Sequence, residues 1–303
     1  MDYKLLEKAR TIARPSREAM LSRDISVYHF WEQNRQLFKD AWAQWDDSLS
    51  VDEYNLDDTI YASQLRTAVA AAWSDPTTEA NVRALWREVF PGVYEAQFFD
   101  PERLVQLRDY LNKADASGIP VRPPYGISLN RGGAMLDCRS EGYLAAPRFQ
   151  EFYRGLMDRY MRPISRLLFP DIIGYDTQTF GFSIQWQPDT DASLRAHTDA
   201  SAVTLNINLN LPDENFEGSA VRFFDRATRQ ICELSFAPGT ALIHHGSVPH
   251  ETVSITDGER SNFVLWLYGD NGQIPPYGMD QDEIPAQKRW QMSANKKDNF
   301  APF

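Results

Sequence analysis

Two hydrophobic rhythms divide this chain, one with the period of a helix and one with the period of a strand. In the first third, Phe30, Trp31, Leu37, Phe38, Trp42 and Trp45 lie among charged and amide residues at roughly helical spacing, which predicts amphipathic helix. Asp100-Pro101-Glu102 offers an N-cap, a proline at the first helical position and an acidic first turn, so a helix is predicted to start there. It would carry Leu104, Leu107 and Leu111 on one side and stop before Ser117-Gly118. The prolines and glycines of 122–126 and 130–133 read as a long loop, a kind that is often functional. Phe149, Phe152, Tyr153, Leu156, Met157 and Tyr160 return to helical spacing until Arg162-Pro163 kinks or interrupts it. These aromatic stripes read first as core packing.

From about Thr177 the period becomes two. Thr204-Leu205-Asn206-Ile207-Asn208-Leu209-Asn210 alternates without a break, so one face meets a core and the other a polar surface or cavity. Pro238-Gly239 turns into Thr240–Ile243, and Ser261 to Tyr268 is another strand-like run. Short strands between turn residues predict a sandwich or barrel; a jelly roll preceded by packed helices, class α+β, is the expected architecture. The division expected is a helical region over 1–118, packed on a core with its supporting helix over 119–303.

Composition narrows this only a little. With 303 residues, 43% hydrophobic and 13% aromatic, the chain can build one large domain or a core with a helical extension. A net charge of −11 argues against a general nucleic-acid binder, which needs a basic face to displace phosphate counterions. Cys138 and Cys232 read as ordinary reduced packing residues. The first eight residues lack the apolar core of a signal peptide and no apolar run could span a bilayer, so a cytoplasmic location without a membrane partner is expected.

The chemistry concentrates in Arg195-Ala196-His197-Thr198-Asp199-Ala200-Ser201. On an extended strand His197 and Asp199 share a face, and His250 can complete two imidazoles and one carboxylate around a metal. With positions left open, that set suits non-haem Fe(II) better than a closed structural zinc site. A bare His-x-Asp is weak evidence: the pair could simply hydrogen-bond, and His250 could be a satisfied loop imidazole. His244 and His245 compete with His250, but adjacent strand residues face opposite ways, so at most one faces the metal. His250 is preferred for its relation to Gly258-Glu259-Arg260-Ser261; either competitor could still orient a ligand. His29 has no matching motif and reads as structural. Arg260 has the planar fork to grip the far carboxylate of a dicarboxylate co-substrate, against the bland reading of a surface arginine after a turn. Arg195 would share the metal-facing side of a regular strand, for an acidic substrate group or an ion pair. Asn206 and Asn208 lie on the polar face of theirs, with Asn206 the better candidate for contacting co-substrate.

Together these residues resemble the prolyl/lysyl-hydroxylase-like branch of the Fe(II)/2-oxoglutarate-dependent dioxygenases, above all procollagen-lysine hydroxylase catalytic domains and small 2-oxoglutarate and iron-dependent oxygenase domain-containing proteins. The likeness rests on 194–201, Thr204-Leu205-Asn206, Leu209-Asn210, Phe216-Glu217-Gly218, Arg222-Phe223, Pro238-Gly239, His250-Glu251 and Gly258-Glu259-Arg260. It covers about Phe149 to Gly269 and is poor over the helical third. It implies a double-stranded β-helix, Fe(II) on His197, Asp199 and His250, 2-oxoglutarate salt-bridged to Arg260, O2 as oxidant, and ascorbate as a stimulant. Trp186 departs from the pattern, standing where such relatives carry a tyrosine; an indole cannot accept the hydrogen bond a hydroxyl could. The implied reaction oxidises an unactivated C–H bond and releases succinate and CO2. Hydroxylation is the default, with desaturation or kainoid-synthase-type radical cyclisation as variants. The expected substrate is a small, carboxylate-bearing, amino-acid-derived molecule, its carboxylates received by Arg131, Arg139 or Arg195. The absence of a secretory signal and of the extra domains of collagen-modifying enzymes favours it over a peptidyl lysine or proline. A non-catalytic jelly-roll binding module is the third reading, disfavoured by the complete triad with Arg260. The oligomeric state is not legible.

Overall fold

Period-two alternation folds into strands that cross repeatedly between two facing antiparallel sheets. The computed structural model describes residues 3–22, 24–50, 56–123, 134–136 (backbone alone), 145–190, 192–276 and 284–292. Arg131, Cys138, Arg139 and nearly all of the expected long loop lie outside them. The described strands are β1 (Arg87–Phe90), β2 (Val93–Gln97), β3 (Ala134–Leu136), β4 (Gln178–Trp186), β5 (Leu194–His197), β6 (Val203–Asn208) and β7 (Phe216–Gly218). They continue as β8 (Val221–Phe224), β9 (Ile231–Leu234), β10 (Thr240–His245), β11 (His250–Thr252), β12 (Ile255–Gly258) and β13 (Arg260–Tyr268).

The larger sheet runs β1-β2-β10-β6-β13-β4-β3 and the smaller β5-β11-β8-β9, with β12 and β7 forming a separate pair. In chain order β4 lies in the larger sheet, β5 in the smaller and β6 in the larger. Then β8 and β9 return to the smaller, β10 to the larger, β11 to the smaller and β13 to the larger. That back-and-forth winding is the double-stranded β-helix, or jelly roll, and the fold is α+β.

Alternation along each strand gives the larger sheet two different faces. Val203, Leu205 and Ile207 of β6, Ala241 and Ile243 of β10, and Phe263, Leu265 and Leu267 of β13 join one large core with the helices. On the opposite face Phe180, Phe182, Ile184, Trp186, Trp266 and Tyr268 pack with Ile255 and the partly buried Leu194 and Phe216. Leu242 packs there with Val221 and Phe223 of β8. Residues in phase with this inner face include Thr204, Asn206, Asn208, His244, Arg260 and Asn262. Apolar and polar residues thus share the interior between the two sheets, where each polar group needs a partner.

The helices cover the outer face. Ile25–Ser48 buries Trp31, Phe38, Trp42 and Trp45 as its spacing predicts. None of the described helices is long and apolar enough to cross a membrane. Three local expectations need correcting. The first third is not wholly helical, because β1 and β2 form a hairpin whose β2 pairs with β10. The helix expected from Asp100 begins at Leu104; the Asp100 carboxylate caps a preceding turn by accepting from Glu102 N–H at 3.0 Å. At Arg162-Pro163 the helix is not broken. A π-helical segment, Leu156–Met161, leads into Arg162–Leu168. Pro163 lacks an N–H for the Arg159 carbonyl four residues earlier, and the Trp73 indole donates to that oxygen instead, at 2.9 Å.

Candidate functional site

The end of β5 and the start of β11 are register partners, His250 opposite His197, and this pairing brings the two imidazoles together with ring centroids 4.3 Å apart. His197 Nδ1 lies 2.8 Å from the Arg195 carbonyl and His250 Nδ1 lies 3.0 Å from the Val248 carbonyl. A carbonyl can only accept, so each Nδ1 carries the proton and each Nε2 keeps its lone pair. Asp199 closes the group: Oδ1 is 3.5 Å from His197 Nε2 and Oδ2 is 3.7 Å from His250 Nε2. One donor atom from each of the three lies within 4.8 Å of the others. Atoms each about 2.1 Å from a shared ion would stand about 3 to 3.5 Å apart, so the donor set fits one small divalent cation.

Backbone contacts hold Asp199 in place. Its N–H donates to Gly246 O at 2.8 Å, in the turn between β10 and β11. A Cβ on Gly246 would sit 2.1 Å from Ser201 O, so only glycine lets that turn approach. Gly258 explains the spacing before Arg260. With φ +71° it ends β12, and a Cβ there would meet Asn215 O at 2.4 Å.

Electrostatics separate the roles of the imidazoles. Burial pushes Asp199 upward, but hydrogen bonding to His197 and Thr204 and the nearby His250 and His244 prevail, and its pKa falls to about 2. Burial pulls His197 down, yet the Asp199 carboxylate more than offsets it and the net shift is upward. His250 is drawn down by burial. His244, 2% exposed, is drawn down to about 3, first by burial and then by His250. A stability prediction follows for the metal-free protein. Between the unfolded value of 6.5 and about 3, the unfolded chain holds a proton at His244 that the folded chain refuses, so stability should rise with pH across that window. The slope approaches about 1.4 kcal/mol per pH unit per proton. His250 adds in the same sense, whereas the raised His197 stabilises below its unfolded value and loses that contribution as pH climbs through its folded one. Denaturant titrations at pH 7 and pH 5 should show the slope, and His244→Phe should flatten it.

Arg260 occupies the inner face opposite Trp186 in the β4–β13 register. It is 2% exposed and donates from Nη1 to Ser219 O; Nε has no partner. Its guanidinium carbon lies 5.7 Å from the ring centroids of Trp186 and Phe236. No carboxylate among the described residues neutralises it, and burial alone draws its pKa down to about 9. A buried cation without a counter-charge is costly, and the partner that would offset the cost is an anion.

The other expected residues fare differently. Trp186 lines the arginine with its ring face. Asn206, half-buried, accepts from Asn262 Nδ2 at 2.7 Å, and its own amide nitrogen has no partner among the described residues. Asn208 is consumed structurally, donating to Phe236 O and accepting from Asn210 N–H. Arg195 is exposed: Leu194 to His197 spans three steps against two in β11, and that bulge breaks the alternation that had placed Arg195 inward. His29 is exposed on its helix beside Tyr28. Arg222 faces away from the interior, paired with Glu233 at 2.8 Å and Glu251 at 2.7 Å. His245 points outward against Phe169 and Asp171. His244 points inward, its ring 4.9 Å from that of His250. Thr204 was not singled out by sequence reasoning, although its phase with Asn206 placed it on the polar face.

No family model matches the chain. By sequence it is similar to ICU11, a 2-oxoglutarate and iron-dependent oxygenase domain-containing protein of Arabidopsis thaliana, 27% identical over 205 residues, 62% of this chain. It is also similar to 2-oxoglutarate and iron-dependent oxygenase domain-containing protein 2 of Xenopus tropicalis, 29% identical over 226 residues, 71% of this chain. The chain spans 48% and 60% of those two proteins. Procollagen lysine hydroxylase and glycosyltransferase LH3 of Rattus norvegicus is 35% identical over 125 residues, 39% of this chain and 16% of that one. Among solved structures, apo EctD from S. alaskensis aligns with a TM-score of 0.45 at 12% identity, over 63% of this chain and 78% of that one. The sequence relatives of this chain are thus 2-oxoglutarate and iron-dependent oxygenase domain proteins and procollagen lysine hydroxylases, the branch its motifs resemble.

Proposed function

We propose that this chain is an Fe(II)- and 2-oxoglutarate-dependent oxygenase acting on an unactivated C–H bond of a small, carboxylate-bearing molecule of amino-acid type. The observation that carries the reading is one interior that holds both a donor set suited to a cation, His197, Asp199 and His250, and the buried guanidinium of Arg260, which no carboxylate among the described residues neutralises. Bound Fe(II) with 2-oxoglutarate and O2 supplies an oxidant able to take hydrogen from such a bond, with succinate and CO2 released. His197, Asp199 and His250 hold the ion from one side, leaving the rest of its coordination to other ligands. Arg260 grips the far carboxylate of the keto acid, and Trp186 and Phe236 keep water from that ion pair, which strengthens it. The unused amide of Asn206 is placed to orient the same molecule.

The His197 side chain, 30% exposed, marks the open side from which substrate approaches. Exposed Arg195 stands beside it and favours an acidic substrate, with Arg131 and Arg139 further candidates on sequence grounds. Hydroxylation is the default outcome; desaturation or ring closure requires a substrate posed to avoid it. A second reading, peptidyl lysyl or prolyl hydroxylation, is favoured by the 35% identity to LH3 over 125 residues. Substrate-stimulated succinate release decides between them, using a panel of amino-acid-derived acids beside lysyl and prolyl peptides. Stimulation by the acids supports the first reading and stimulation by peptides alone supports the second. Failure to consume 2-oxoglutarate with iron present and every candidate tried would sink both.

A further inference from the structure

The carboxylate of Asp199 is held by more than its two imidazole neighbours. Oδ1 faces His197 Nε2 at 3.5 Å, and Oδ2 faces His250 Nε2 at 3.7 Å while also accepting a hydrogen bond of 2.6 Å from the Thr204 hydroxyl. Thr204 is 1% exposed and stands on β6 between His244 of β10 and Trp266 of β13, its register partners on either side. Its Oγ1 also lies 2.9 Å from Ser201 Oγ, where either atom could be the donor. The direction follows from the acceptors. An ionised carboxylate donates nothing, so Thr204 gives its one proton to Asp199 and Ser201 must donate to Thr204. The result is a buried one-way row, Ser201 to Thr204 to Asp199, ending on the oxygen that faces His250.

Building on the metal reading above, we propose that Thr204 is the positioning residue that fixes how the Asp199 carboxylate is turned toward the ion. Without the hydroxyl, the carboxylate loses the orientation that a partner bonded to a ligand supplies. The methyl group of Thr204 is not part of this role; its hydroxyl is.

The test is a calorimetric and visible-absorption titration of the metal-free protein with Co(II) alone, comparing the parent, Thr204→Val and Thr204→Ser. Valine keeps the shape and removes the donor, and should weaken Co(II) binding roughly 10- to 100-fold. Serine keeps the donor and should restore affinity to within a few-fold of the parent, with the parent spectrum. Parent-like affinity and spectrum in Thr204→Val would overturn the inference while leaving the metal site standing. Equal loss in valine and serine would overturn it too, by assigning the effect to packing. A parent protein that takes up no Co(II) would bring down the metal reading and this inference together.

Discussion

An Asp199→Ala protein is expected to lose its metal, and with it all substrate-stimulated succinate release, while remaining folded. The loss should exceed the roughly 10- to 100-fold typical of removing a partner that only orients a ligand, because here the sole anionic donor disappears. Two neutral imidazoles offer a divalent cation no charge to balance it. The side chain is 5% exposed, and its removal also frees the Thr204 hydroxyl and relieves His197 of the carboxylate that raises its pKa. Metal content after equilibration with Fe(II) under anaerobic conditions is the direct readout, with far-UV circular dichroism to verify folding. Full metal occupancy or retained turnover would remove Asp199 from the site.

Arg260→Leu is expected to separate function from stability. An arginine retained for packing has its charge neutralised nearby, and removing one member of a buried pair costs about 3–5 kcal/mol. Among the described residues Arg260 has no acid to lose, only a hydrogen bond to Ser219 O and ring contacts, while its charge is held out of water. The ligand-free leucine variant should therefore melt at or above the temperature of the parent. Its requirement for 2-oxoglutarate should rise by a factor corresponding to about 2–5 kcal/mol, the penalty for truncating a buried charge partner, or roughly 30- to several-thousand-fold. A strongly destabilised variant, or one with an unchanged 2-oxoglutarate dependence, would assign the arginine a structural role.

The sequence made the convergence of His197, Asp199 and His250 legible because each lies beside a strong positional signal: strict alternation after Asp199, and a glycine two residues before Arg260. Parity was harder. Nothing in Ile243-His244-His245-Gly246 says which imidazole faces inward until Leu242 is known to pack against Phe223, and that contact joins two sheets. Arg195 was misplaced because a bulge shifts parity by one residue without leaving a mark in composition. The β1–β2 hairpin, in contrast, left a usable mark: Pro91-Gly92 separates Val89-Phe90 from Val93-Tyr94, a turn signal between two strand-forming pairs. It was obscured by the aromatic residues on either side, which read equally well as a helical stripe. That no carboxylate among the described residues neutralises Arg260 was beyond sequence, since a counter-ion belongs to the space around a residue.

That hairpin joins the first third of the chain to the larger sheet. Strand β10, which carries His244 on the cavity side, would be a bare edge but for β2, whose Val93–Gln97 matches Thr240–His244 position by position. An unprotected edge invites pairing with another molecule, and here the early segment closes it off. A strand from the first third of the chain thus covers one margin of the larger sheet, next to the strand that carries His244.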